Sequence, residues 1–208
     1  MIGRRLTLAG GLIALVACTP GPSADNNGSA TTTPPGGEQA MAACSPSANM
    51  PVAGRASPYD STAVALGDAS ALVCYGRPSM RGRTVFGGLV PYDELWRTGA
   101  NEPTIIHLPV AASIAGIAVE PGSYSLYTEP GQTEWTVIVN RSTQQWGIEN
   151  QYTDAIRAQE VGRATVPSEQ IESPVETFVI RAEPQGSNAA NLVLEWENTR
   201  VRIPVERS

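Results

Sequence analysis

The sequence predicts an all-β protein: an antiparallel β-sandwich of about nine strands with one short helix, preceded by a signal peptide and a flexible tether. Three observations predict it. Apolar and polar residues alternate with a period of two in several short runs, as at Trp135, Val137 and Val139, or Leu192, Leu194 and Trp196. Turn residues punctuate the chain, with 20 Gly and 17 Pro, and Gly67-Asp68, Pro121-Gly122 and Pro130-Gly131 fall between runs. The connections are short, which suits hairpins better than the long crossovers of a parallel sheet.

The chain opens on a targeting pattern rather than on folded structure. Arg4 and Arg5 precede an apolar run from Leu6 to Val16, too short for the roughly 20 residues that span a bilayer. Leu15-Val16-Ala17-Cys18 then has the form of a lipobox. Residues 1–17 are therefore expected to be a lipoprotein signal peptide, and Cys18 the lipid-bearing first residue of the mature chain. Acyl chains such as palmitate would hold it to a membrane, each buried CH₂ contributing about 0.8 kcal/mol. Residues 18–43 are rich in Ser, Thr, Pro, Gly and Asn and form the expected tether. Residues 44–208 are the expected domain, with its core over 57–205. Position 19 is Thr and not Asp, so the expected address is the cell envelope, on the outer-membrane side if the cell is Gram-negative.

Residues 62–66 and 71–75 flank Gly67-Asp68 and predict a hairpin. An apolar strand is expected over 104–110, and a short hairpin over 113–115 and 117–119 about Gly116. Strands follow over 123–128 and 134–140. Residues 155–166 read as a strand, because Val161, Thr165, Val166 and Pro167 sit poorly in a helix. Another strand is expected over 175–182. The closing pair, Leu192 to Trp196 and Val201 to Val205, is expected to meet across a turn at Asn198-Thr199. The one helix is expected over 90–98, where Pro91 stands near its start and Gly99 just past its end.

Composition narrows the function. The formal net charge is −6, which argues against a nucleic-acid binder; the chain has no Lys, so its Arg count alone is not read as a binding signal. Beyond Cys18, Cys44 and Cys74 form an even pair in a chain bound for an oxidising compartment, so a disulfide is expected. His107 is the single His, which leaves no multi-His metal site, and the two Cys lack close metal-ligand spacing. No Gly-x-Ser-x-Gly elbow, P-loop or dinucleotide fingerprint occurs, and no cofactor or metal is expected.

The most distinctive stretches are Tyr75-Gly76-Arg77-Pro78, the run from Arg81 through Val85-Phe86-Gly87-Gly88-Leu89 to Tyr92, and Trp96-Arg97-Thr98-Gly99-Ala100-Asn101-Glu102. With Gly122-Ser123-Tyr124-Ser125-Leu126-Tyr127, Glu134 to Ile138, Asn140, Gln145-Trp146-Gly147 and Trp196 to Arg200, they resemble the bacterial domain-of-unknown-function family 2911 over residues 57–205. The resemblance implies a secreted or lipid-anchored β-rich protein and transfers no catalytic residue.

The residues themselves suggest a site. Arg77, Arg81, Arg83 and Arg97 lie with Asn101 and Glu102 in one loop-rich region. Arg offers fixed donors to carboxylates and phosphates, and Tyr92, Trp96 and Trp146 offer flat faces to sugars. Arg77, Arg83, Arg97, Asn101, Glu102 and Trp146 are thus the candidate binding residues for a small anionic or carbohydrate ligand. The competing expectation is that these side chains satisfy loop backbone, with Arg97 paired to Glu102, Glu195 or Glu197. Glu195 and Glu197, at i and i+2, would stand about 5–7 Å apart, near the spacing of a retaining glycosidase, or else face Arg200 and Arg202 across a hairpin. The expectation is a non-enzymatic envelope binding module. The alternatives are a hydrolase of envelope carbohydrate using Glu102, Glu195 or Glu197, or a purely structural lipoprotein.

Overall fold

The structure is a computed structural model and describes residues 44–45 and 52–208. The signal peptide, Cys18 and the tether lie outside the described residues. The described elements are β1 (Tyr59–Leu66), β2 (Ala69–Gly76), β3 (Thr104–Leu108), β4 (Ala112–Ile114), β5 (Ile117–Val119), β6 (Gly122–Pro130), β7 (Glu134–Asn140), a 3-10 turn (Glu149–Gln151), α1 (Asp154–Arg157), β8 (Glu160–Pro184) and β9 (Ala189–Arg207). The nine strands form one sheet in the order β1-β2-β3-β6-β7-β8-β9-β4-β5, and every ladder in it is antiparallel.

The sheet is made sandwich-like by β8. Its first part, up to Pro167, pairs with β7; from Ser168 to Pro184 it pairs with β9. One 25-residue strand therefore belongs to both layers, and the sheet turns back on itself along it. The fold is clasped on the other side by β1 and β2. Thr62 donates its hydroxyl to the Ile180 carbonyl at 2.5 Å, and the Tyr75 hydroxyl donates to the same carbonyl at 3.1 Å while accepting from Ile180 N–H at 3.0 Å.

The parity read from the sequence fills the interior. Val64 and Leu66, Val73 and Tyr75, Trp135, Val137 and Val139, and Leu192, Leu194 and Trp196 are buried. Each such side chain contributes about 1.5–3 kcal/mol when fully removed from water. An aromatic cluster of Phe86, Trp96, Trp135, Phe178 and Trp196 occupies this core, with ring centroids 5.1–6.1 Å apart. Cys44 and Cys74 are bridged, with Cα atoms 5.6 Å apart, so the start of the domain is tied to β2.

The β1–β2, β4–β5 and β6–β7 hairpins fall where expected. The turn between β4 and β5 places Ala115 and Gly116 at φ 50° and 81°, both positive as a type I′ turn requires. Four expectations need correction. The third strand ends at Leu108, not at 110. The stretch 155–166 is not wholly strand: one turn of helix, α1, capped by Thr153, precedes β8, which then runs unbroken through 175–182. No hairpin divides the closing runs. β9 continues through Asn198-Thr199, and Glu197 at φ 51° together with register shifts against β8 marks a bulge. That bulge moves the buried parity from Trp196 to Val201, as a turn would. Finally, 90–98 is not helical: Asp93 at φ 61° interrupts it, and Trp96 pairs its backbone with Thr128 of β6 instead.

Candidate functional site

The connection between β2 and β3, residues 77–103, carries the motif and builds the site. It is long for a loop without secondary structure, and such loops are usually functional. Its first part runs along the outer edge of β8: Phe178 N–H donates to the Pro78 carbonyl at 2.9 Å and Met80 N–H to the Glu176 carbonyl at 2.8 Å. Its middle is held by Glu197, whose carboxylate accepts from the Val85 and Phe86 amides, each at 3.1 Å. This places the Phe86 ring in the core. Farther on, Trp96 exchanges backbone hydrogen bonds with Thr128 at 2.7 and 2.9 Å and donates its indole N–H to the Gly99 carbonyl.

The connection is strained. Arg81, Asp93, Thr98 and Asn101 all adopt positive φ. Thr98 is β-branched, for which this conformation is a genuine outlier. It is fixed by burial, by hydrogen-bond contact with the Thr128 hydroxyl at 3.1 Å, and by the Thr104 hydroxyl donating to its carbonyl at 2.6 Å. Strain of this kind concentrates at binding and catalytic sites.

A cavity of about 560 Å³ opens along this connection, within the usual size of small-molecule sites. Arg83, Glu94, Arg97, Asn101 and Glu149 supply its charged and polar groups; Leu89, Val90, Pro91, Leu95, Trp96 and Trp196 make its apolar wall. Arg97 holds Glu149 through Nη1 at 2.8 and 2.9 Å. Two of the lining residues carry buried donors, Arg97 Nε and Asn101 Nδ2, that have no hydrogen-bond partner among the described residues. Such a group costs about 1–3 kcal/mol when left unsatisfied.

Of the six candidate residues, Arg83, Arg97 and Asn101 line the cavity and Arg77, Glu102 and Trp146 do not. Arg77 instead bonds the Phe178 carbonyl and Asp60, bracing the loop to β8 and β1. Glu102 is buried against Arg55 through hydrogen bonds of 2.7 and 2.8 Å. Beside this pair, burial first and the Glu102 charge second push the Tyr59 hydroxyl up to about 12, so it stays protonated. Trp96, offered above as a stacking face, is 4% exposed and lies stacked on Trp196, which leaves no open face for a sugar ring.

The expected partners of Arg97 are replaced by Glu149, and the three candidate acids are held apart. Glu102 is with Arg55, Glu195 between Arg181 and Arg200, and Glu197 on the Val85 and Phe86 amides. Arg200 does meet Glu195, along β9 and not across a hairpin, whereas Arg202 pairs with Glu169 and Glu183. His107 shares a hydrogen bond of 2.7 Å with Ser123 Oγ on the outer face, and burial holds its pKa below the ordinary value. Among the described residues no group of three His, Cys, Asp or Glu is placed to hold a metal ion. Sequence reasoning missed Glu94, Leu89 and Trp196 as cavity residues. It also missed Glu149, although that residue lies just past the Gln145-Trp146-Gly147 block.

The fold and site thus define an all-β, antiparallel protein with a polar-rimmed cavity built on one strained connection. Residues 57–205 match the family described as Protein of unknown function (DUF2911), and the chain belongs to that family. No curated protein and no solved structure matched the chain.

Proposed function

We propose that this protein is a non-enzymatic binding module of the cell envelope, anchored by lipid at Cys18. Its cavity takes a small ligand rich in acceptor oxygens, such as a carboxylate, a phosphate or sugar hydroxyls. The observation that carries the reading is that two residues lining the cavity, Arg97 and Asn101, each hold a buried donor, Nε and Nδ2, without a hydrogen-bond partner among the described residues. An acceptor delivered by a ligand would remove their desolvation cost on binding. The lipid anchor rests on the sequence alone, on the run ending Leu15-Val16-Ala17-Cys18.

The full chain, purified in detergent, should show a raised melting midpoint with at least one member of a panel of sugars, short carboxylates, phosphate and free amino acids. Asn101→Asp tolerates the positive φ but replaces the amide donor with an acceptor. It should keep the fold and lose about tenfold or more in affinity for whichever compound binds. A flat response across the panel, or full binding by Asn101→Asp, sinks the reading. Cys18→Ser should abolish labelling by a lipid probe; continued labelling would remove the anchor.

A purely structural role has its own support, since Arg77, Glu102 and Glu197 all spend their polar groups on securing the connection. A panel that shifts nothing would favour it.

A further inference from the structure

We infer that the cavity selects a zwitterionic ligand with an apolar body: an apolar α-amino acid or a short peptide with free termini. This inference rests on the binding reading above and narrows its ligand. Four charged side chains line the cavity, and two of them, Arg97 and Glu149, neutralise each other. The remaining two are Arg83 and Glu94. Arg83 forms no ion pair among the described residues. Its Nε and Nη2 donate to the Met80 and Ser79 carbonyls at 2.9 and 2.8 Å, which orients the guanidinium and leaves Nη1 available. Glu94 has no hydrogen bond or ion pair among the described residues.

The cavity thus presents one oriented cation and one anion without counterions. A simple anion would satisfy Arg83 and leave the Glu94 carboxylate without a partner, and a cation the reverse. A zwitterion offers its carboxylate to Arg83 and its ammonium to Glu94, matching both signs. Leu89, Val90, Pro91, Leu95, Trp96 and Trp196 form the remaining wall. Both indole N–H groups are already spent, on the Gly99 and Glu176 carbonyls, so the tryptophans offer no free donor. The covered Trp96 face disfavours a sugar.

Calorimetric titration of the full chain in detergent tests this with L-leucine, L-leucyl-L-leucine, N-acetyl-L-leucine, L-leucinamide, acetate and N-acetylglucosamine. Leucine or its dipeptide should bind, and the stronger of the two tells a free amino acid from a peptide. N-acetyl-L-leucine, which lacks the ammonium, and L-leucinamide, which lacks the carboxylate, should each bind about tenfold or more weakly. In Glu94→Gln the penalty for acetylation should vanish, and in Arg83→Gln the penalty for amidation. Both side chains are exposed, so neither change empties the core, and Arg83→Lys should retain the preference for a carboxylate. Capped compounds binding as well as the zwitterion, in the wild-type chain, overturn the inference. So does binding by acetate or N-acetylglucosamine alone, but that result leaves the binding reading standing. Silence from all six compounds overturns the inference, and silence from the wider panel as well brings down the binding reading too.

Discussion

Glu195 shows how far single side chains set the stability of this fold. It is 8% exposed on β9, with Arg181 at 3.3 Å and Arg200 at 2.5 Å. Burial alone would raise the pKa of its carboxyl, but hydrogen bonds and charge from the two guanidiniums outweigh burial and hold it below the usual carboxylate value of 4.5. A folded-state pKa depressed in this way gives stability that is fully present above the unfolded value and lost as pH falls through the folded one. Glu195→Gln should therefore cost about 1.5–3 kcal/mol at neutral pH. That deficit should begin to shrink as pH falls below the unfolded carboxyl's value of about 4.3 and should vanish only below the depressed folded value, where the wild-type carboxyl also becomes neutral. Urea unfolding at stepped pH checks it; a deficit independent of pH would show that the ion pairs contribute nothing. Only the Arg200 half of this arrangement was legible in the sequence, because Arg181 reaches Glu195 from another strand.

At the scale of the element, the connection 77–103 depends on close backbone approach. A Cβ on Gly76 would collide with the Ala100 carbonyl oxygen, so the end of β2 and the motif loop meet where only glycine fits. Gly76→Ala should destabilise the domain by about 3 kcal/mol. Gly116→Ala, at φ 81° with open space around it, should cost only about 1 kcal/mol. Chemical denaturation of both variants should give that order, and the reverse order would remove the docking argument. The strands were legible where parity and turn residues agreed, as at β1–β2 and β6–β7. The helix expected at 90–98 failed because its capping pattern lost to a tertiary ladder between Trp96 and Thr128. The hairpin expected at 198–199 failed because a bulge reverses parity just as a turn does. In the site, Arg83, Arg97 and Asn101 were legible as residue types crowded in one loop. Their setting was not: Glu149 meets Arg97 from 52 residues away, and Arg55 meets Glu102 from 47.

Across the whole molecule, β8 makes the two layers inseparable. A strand that completes one layer with β7 and the other with β9 cannot leave either intact when it unfolds, so the domain should melt in a single cooperative transition. The Cys44–Cys74 bridge closes a loop over a separation of 30 residues, and its reduction should remove about 3–4 kcal/mol. Calorimetry with and without reductant checks both statements. Two resolved transitions would refute the first, and an unchanged midpoint would refute the second.

The same bridge also decides where a mechanical load enters. A pull on the chain ahead of Cys44 passes through the sulfur atoms to Cys74, within β2, without drawing on the segment that leads into β1. There Cys74 stands opposite Ser61 on one side and Ile105 on the other, so the load is shared by hydrogen-bond ladders on both flanks. Residues 52–58, including the Arg55 that grips Glu102 and the Ser57 that borders the cavity, are left slack. Tension on the chain ahead of the bridge is thereby isolated from the wall of the cavity.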